Sequence, residues 1–511
     1  MTTSPPTLRS RGLFTVLPGL LIAMLLAQLD MTIVGTAMPR IVGDLGGAEH
    51  LAWVVTAYTL AVTVVTPLYG KLGDMFGRKK LLMVGIALFI TGSALAGLSQ
   101  DMGQLIAFRA LQGLGAGGLI VGVMATIGEL AAPRERAKLQ GYFAATMAVS
   151  MIGGPLLGGF ITDHLSWRWT FYINLPIGVL ALALIATTLH LPGRTSRHRI
   201  DFAGTGLLGA AATALVLVTT WGGTQYAWSS ATIIGLAVLG ATALAAFLLV
   251  ESRAAEPILP LRLFRKRNFS VSSTLAFVVG FAMFGAITFL PLFMQTAQGA
   301  SATASGALLM PMMLGAMVMS LVSGQIIGRT GRYRALPIVG SAVMTAGLFL
   351  LSQLTADSSN LSTTVFMVVL GLGMGTLMQL TRLLPQNSVE LADMGVASST
   401  PQFFQTIGGS FGVSLFGAVF AGRLADSLGR ASVPGNAGAG LDPARIADLP
   451  DAVREAVVHG VAYATQGVFF WATCVAAVAF LLSWALESVP LRSQLPKPAE
   501  GGEDRVLATV E

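Results

Sequence analysis

The sequence predicts an all-α integral membrane protein with fourteen transmembrane helices. Three observations predict it. Hydrophobic residues make up 54% of the 511-residue chain and charged residues only 11%, against about 25% charged in soluble domains. Fourteen apolar stretches approach or exceed the roughly 20 residues that a helical span needs. One glycine-arginine motif also occurs twice at matching places, dividing the chain into two six-helix halves with a helix pair inserted between them.

The apolar stretches run over 14–38, 51–70, 80–98, 105–127, 140–162, 169–189, 203–221, 231–250, 270–293, 303–327, 335–354, 362–384, 400–422 and 463–486. The first follows Arg9 and Arg11, as a signal peptide would, but it is too long and lacks an Ala-x-Ala cleavage site. With both termini cytoplasmic, 24 of the 31 Lys and Arg fall on the cytoplasmic side and six on the outer side; one, Arg109, lies inside a span. That bias is the positive-inside signature of a plasma (inner) membrane protein. It also checks the span count, because one missed span would invert every later loop. The net charge of +7 therefore reports topology and gives no reason to expect nucleic acid.

Several function classes are excluded. The single cysteine, Cys474, rules out a disulfide framework and a cysteine-based metal site. The five histidines fall in or beside loops, so a haem or intramembrane metal centre is not expected. There is no catalytic cluster, no large extramembrane domain and no GxxxxGK[ST] nucleotide loop. The chain is expected not to be an enzyme and to need no cofactor.

The repeated motif is GKLGDMFGRKK (Gly70 to Lys80) after the second span and GQIIGRTGRYR (Gly324 to Arg334) after the tenth. Gly328 stands in the second copy where Asp74 stands in the first. Parallel repeats of this kind build transporters with a substrate site between the halves near the membrane midplane. The expected organisation is an N-terminal tail over 1–12, a bundle over 13–200, an inserted pair over 201–262, a second bundle over 263–490 with an external loop at 423–460, and a tail over 491–511.

Over about residues 12–490 the chain resembles the major facilitator superfamily, and within it the fourteen-span drug:proton antiporters. Five motifs carry the resemblance: GKLGDMFGRKK; LIAFRALQGLGAGG (Leu105 to Gly118); GGPLLGGF (Gly153 to Phe160); LDMTIVGTAMPRI (Leu29 to Ile41); and WRWTFYINLPIG (Trp167 to Gly178). The resemblance implies two six-helix bundles plus an inserted pair, and proton-coupled export. It does not name a cargo.

Each motif also has a physical reading. Gly70 and Gly77 allow tight backbone turns. Asp74 can accept from a helix N-terminus or pair with Arg134 or Arg136, a latch that closes when the halves meet on the inside. The resemblance implies that gating role for Asp74 and Arg78; enforcing topology is the plainer use of the basic residues. Gly154 and Gly158, with Gly153 and Gly159 beside them and Pro155 between, make a slim, bent helix suited to an interface between the halves.

Asp30 and Arg109 are the deepest acid and base. A charge at a span centre costs about 2.5–3.5 kcal/mol on insertion scales. Asp30 lies about 12 Å and Arg109 about 6 Å from the outer ends of their spans, so the two can pair. Desolvation favours a neutral acid and a neighbouring guanidinium favours a carboxylate. That competition suits a group that takes a proton outside and releases it inside. A static pair that fixes helix packing is the other reading.

With one deep acid and none in the C-terminal spans, the expected cargo is lipophilic and neutral or monovalent, exchanged for one proton. An endogenous lipid, siderophore or secondary metabolite is the alternative cargo. The candidate cavity residues are Met31, Gln112, Met147 and Met151 in the first half and Phe289, Gln295, Phe404 and Gln405 in the second, since methionines and aromatics suit an adaptable binder. The bilayer and the cargo are the expected partners, and a monomer the expected working unit. In the 423–460 loop, PGNAGAG reads as flexible, and DPARIADLPDAVREAVVHG as an amphipathic stretch or a passive linker.

Overall fold

The computed structural model describes residues 8–46, 51–190, 201–223, 225–254, 257–300, 309–390, 393–430 and 450–489. Among them fourteen long helices follow one another: α1 (Leu8–Leu45), α2 (Leu51–Phe76), α3 (Arg78–Leu98), α4 (Met102–Leu130), α5 (Pro133–His164), α6 (Trp169–Thr188, interrupted at Ile173), α7 (Phe202–Trp221), α8 (Ala231–Arg253), α9 (Arg267–Thr296), α10 (Met310–Thr330), α11 (Ala335–Leu351), α12 (Asn360–Asn387), α13 (Met394–Arg430) and α14 (Asp451–Ser483). Thirteen are long and apolar enough to cross a membrane, and α11 is a shorter apolar helix. The chain is thus an all-α membrane protein of fourteen helices, as the apolar stretches predict. Several helices overrun those stretches because polar ends such as Arg9–Arg11 continue the helix beyond the apolar segment.

In the first half α1 packs on α5 and α6, and α4 packs on α2 and α3. In the second half α9 packs on α13 and α14, and α12 packs on α10 and α11. Two seams join the halves, α2 with α13 and α5 with α10. The inserted helices pair with each other, and α7 lies against α2 and α13. A large apolar core fills the second half, from Leu275 through Phe416 to Ala479, and a smaller one around Phe269 and Phe403 joins it to the inserted pair. Two cores fill the first, one around Leu20 and Phe89 and one around Ile33 and Phe171.

Gly77 and Gly331, the matching glycines of the two repeats, both turn the chain at positive φ, 91° and 69°. Glycine alone adopts that backbone without strain. These turns mark one end of the bundle, called the basic end below. At the opposite end, residues 451–460 continue into α14 as one helix, so this part of the stretch is neither a passive linker nor a separate amphipathic helix. The rest of that stretch lies outside the described residues.

Candidate functional site: a buried charge cluster, a seal and two cavities

Asp30 of α1 and Arg109 of α4 are in contact. The Arg109 guanidinium donates to Asp30 Oδ2 at 2.6 Å, and both side chains are buried. Gln112, one turn along α4, completes a ring: its Oε1 accepts from Arg109 at 2.7 Å and its Nε2 donates to Asp30 Oδ1 at 2.8 Å. Asn174 of α6 donates to the same oxygen at 2.8 Å and to Ser93 Oγ of α3 at 3.0 Å. The Tyr58 ring of α2 lies 4.1 Å from the guanidinium carbon, a cation–π contact. Charge-assisted hydrogen bonds of this kind are what make a buried ion pair tolerable. Five helices meet at this cluster.

One expectation changes here. Gln112 belongs to the charge cluster and does not line a cavity: the residue is wholly buried. Asn174 and Ser93 were not singled out in the sequence, although Asn174 lies in the quoted WRWTFYINLPIG stretch.

At the basic end, α2 and α13 approach so closely that a Cβ on Gly70 would stand 2.8 Å from the carbonyl oxygen of Gly395. Asp74 accepts the Gly395 N–H, at 2.9 Å to Oδ2, at the start of α13. Arg78 pairs with Asp74 at 2.6 Å and with Glu129 of α4 at 3.2 Å, and donates to the Ala125 carbonyl. Asp74 therefore takes the helix N-terminus, the first of the two partners expected, while Arg136 goes elsewhere. Arg136 is buried and donates to the carbonyls of Gly128 and Ala131 at the end of α4 and to Gln386 of α12, the last at 3.5 Å. The Arg134 side chain lies outside the described residues.

The repeat is matched across the second seam. A Cβ on Gly324 would stand 2.3 Å from the Ala137 carbonyl oxygen, which also accepts from Gln379 Nε2 at 2.7 Å. With Gly328 where the first copy has Asp74, an amide from α12 supplies the cross-seam bond. Together these contacts join the two halves at the basic end.

The fifth-span glycines face α1 and not the other half. A Cβ on Gly154 would collide with Thr32 Oγ1, and one on Gly158 would meet the Ile33 carbonyl oxygen at 2.7 Å. Gly153 and Gly159 have open space around them, and Pro155 is exposed. The cross-seam contacts of α5 run from Ala137 and Gly141 near its start to Met147 and Met151.

Two cavities lie between the elements. The central one, about 40 Å³, is lined by α1, α5, α9, α10 and α12, including Met24, Gln28, Met147, Met283, Met312, Gln379 and Arg382. Cargo-sized pockets run to about 300–1,000 Å³, so this one is constricted. The second, about 720 Å³, lies toward the opposite end between α2, α7, α9 and α13, and Phe289 lines it. Of the other candidates, Met151 packs on the second-half core and Met31 is 40% exposed. Gln295 is half-buried and Gln405 is buried. Phe404 packs on Phe264 in the linker after α8. None of these five lines either cavity.

Arg382 corrects the sequence reading most. It was counted with the cytoplasmic residues, leaving Arg109 as the one deep base; it lies inside α12 and lines the central cavity. The signal was present, because Arg382 falls within the 362–384 apolar stretch.

A fold of two six-helix halves with paired cross-half seams and a cavity between them is a transporter fold. The chain belongs to the Major Facilitator Superfamily, whose profile matches residues 20–413. It is 42% identical to the multidrug transporter protein MdtP of Bacillus subtilis over 419 residues, 82% of this chain and 77% of that protein. It is 37% identical to multidrug resistance protein 3 of the same organism over 474 residues, 90% and 92% of the two chains. Among solved structures, the proton:xylose symporter XylE superposes with a TM-score of 0.61 at 15% identity, over 94% of this chain and 97% of that one. That last likeness concerns the fold alone.

Proposed function

We propose that this chain is a proton-coupled exporter of lipophilic, neutral or monovalent compounds, working as a monomer in the plasma (inner) membrane with both termini cytoplasmic. The proton is the coupling ion and no cofactor takes part. The observation that carries the reading is the sealed Asp30–Arg109–Gln112–Asn174 cluster on one side of α1, with Gln28 of the same helix lining the cavity on the other. The relatives named for multidrug transport and resistance support the export of drugs.

In this reading the seal at the basic end makes the present state closed to the cytoplasm. A proton reaching Asp30 neutralises the carboxylate and leaves Arg109 to Gln112, the Tyr58 ring and the Val54 carbonyl. The ion-pair attraction between α1 and α4 is then lost, and α1 is free to shift against α4. Because Asp30 is walled off from the cavity, proton and cargo do not compete for one spot; they are linked through the position of α1. The test is dye efflux from cells or vesicles, with and without an uncoupler, in wild type and Asp30→Asn. Efflux that collapses with the uncoupler and is absent in the variant supports the reading. Undiminished proton-coupled efflux by Asp30→Asn rejects it.

A further inference from the structure

Arg382 lines the central cavity and, among the described residues, has no counter-ion. Among the described residues its one hydrogen bond goes to the neutral Gln402 Oε1, at 3.3 Å. No carboxylate of the described residues forms an ion pair with it. The contrast with the three buried arginines is chemical. Arg109 has Asp30, Arg78 has Asp74 and Glu129, and Arg136 has three carbonyls. A guanidinium carries five N–H donors in a planar fork that matches a carboxylate or sulfonate. Arg382 is half-buried, and charges withdrawn from water are ordinarily paired, so this one has room for a partner that the described residues do not supply.

The surroundings narrow what that is. Met24, Met147, Met283 and Met312 give the same cavity soft, adaptable apolar walls. Gln28 and Gln379 add neutral polar groups, and Gln379 Oε1 is buried with no partner among the described residues. No acid lines the cavity. Arg382 also stands one turn beyond Gln379 on α12, and Gln379 makes the sealing bond to Ala137. When that seal opens, the guanidinium is beside the entrance.

We propose that Arg382 sets the charge of the cargo and that the central cavity takes lipophilic monoanions, an apolar body among the methionines and an acidic head on the guanidinium. This narrows the neutral-or-monovalent class of the export reading to one sign, and it rests on that reading for the word cargo. Arginine near a helix C-terminus also interacts favourably with the helix dipole; a purely structural role of that kind predicts no charge preference in the ligand.

The experiment uses the full chain in nanodiscs of uncharged lipid at pH 7 and three matched probes: pyrenebutyrate (anion), pyrenebutanol (neutral) and pyrenebutyl-trimethylammonium (cation). Binding is read by fluorescence against empty discs. We expect the wild type to bind the anion at least tenfold more tightly than the neutral probe, and the cation most weakly. Arg382→Gln should erase the preference for the anion over the neutral probe, with thermal unfolding reporting that the variant is folded; Arg382→Lys should keep part of it. Equal binding of anion and neutral probe by the wild type, no binding of any probe, or a preference that survives Arg382→Gln overturns the inference. The same probes in proteoliposomes separate the two readings. Arg382-dependent binding without transport rejects export and leaves the site. Transport indifferent to probe charge rejects the site and leaves export.

Discussion

Gln28 and Asp30 stand two residues apart on α1 and serve opposite sides of it: Gln28 lines the central cavity, while Asp30 is wholly buried against α4 and α6. On a helix of 3.6 residues per turn, positions two apart point about 200° from each other. One helix therefore carries both the proton-binding candidate and part of the cavity wall.

The first prediction concerns the pair behind that wall. Arg109→Gln leaves the Asp30 carboxylate buried without its cation, and breaking a buried pair from one side costs about 3–5 kcal/mol. Asp30→Asn in the same chain removes the orphan charge. The single Arg109→Gln variant should lose thermal stability and yield in detergent. The double variant should recover most of both while remaining inactive in efflux. Thermal unfolding of the four proteins of the cycle checks this, and additive losses would reject the coupling.

The second prediction separates two adjacent glycines. Gly158→Ala places a methyl 2.7 Å from the Ile33 carbonyl oxygen, a backbone atom that cannot rotate aside. Overpacking of this kind costs about 1–3 kcal/mol. Gly159→Ala meets nothing within 4 Å and gains the helix preference of alanine. Folded yield by size-exclusion chromatography should fall for Gly158→Ala and hold or rise for Gly159→Ala. Equal yields would mean that α1 and α5 do not pack as described.

The same glycines show what a sequence can and cannot convey. The fourteen helices were legible because an apolar stretch of span length has few other uses, and the Asp30–Arg109 pair because two opposite charges at similar depth need each other. The face that Gly154 and Gly158 present was not legible, since small residues announce a close approach without naming the partner; the partner is α1. Gln112 looked like a cavity residue because a lone polar group in a span is compatible with either wall of its helix. Asn174 escaped notice because it lies in a stretch valued as a family signature, and Arg382 was placed on the cytoplasmic side because it falls near a span end, where depth cannot be told from residue counting.

The third prediction tests the seal. Gly70→Ala places a methyl against the Gly395 carbonyl oxygen, and Asp74→Ala removes the acceptor of the Gly395 N–H and the partner of Arg78. A hydrogen bond to a charged group contributes about 1.5–3 kcal/mol, a shift of roughly tenfold to a hundredfold in a two-state equilibrium. Both variants should move the chain toward a state open at the basic end. Spin labels on the exposed residues Lys80 and Arg332, in a background with the exposed Cys474 replaced by Ser, report that opening as a longer distance population. An unchanged distance distribution in both variants would remove the seal from the gating account.

The fourth prediction joins the proton and the cargo. One proton entering for one neutral molecule leaving moves one charge across the membrane. One proton entering for one monoanion leaving moves two, both in the direction that an inside-negative potential favours. Each charge is worth ~2.3 kcal/mol per 100 mV, so the limiting gradient rises from roughly fifty-fold to roughly two-thousand-fold per 100 mV when the cargo is an anion. With no pH gradient and a valinomycin-set potassium potential, efflux of pyrenebutyrate should therefore steepen with voltage about twice as strongly, on a logarithmic scale, as efflux of pyrenebutanol. Arg382→Gln should weaken anion efflux without changing the voltage slope of the neutral probe, because the charge carried by the Asp30 step is untouched. Equal slopes for the two probes would show that the anion leaves with its own proton, as a neutral acid, and Arg382 would then have no charge to hold during the step that crosses the membrane.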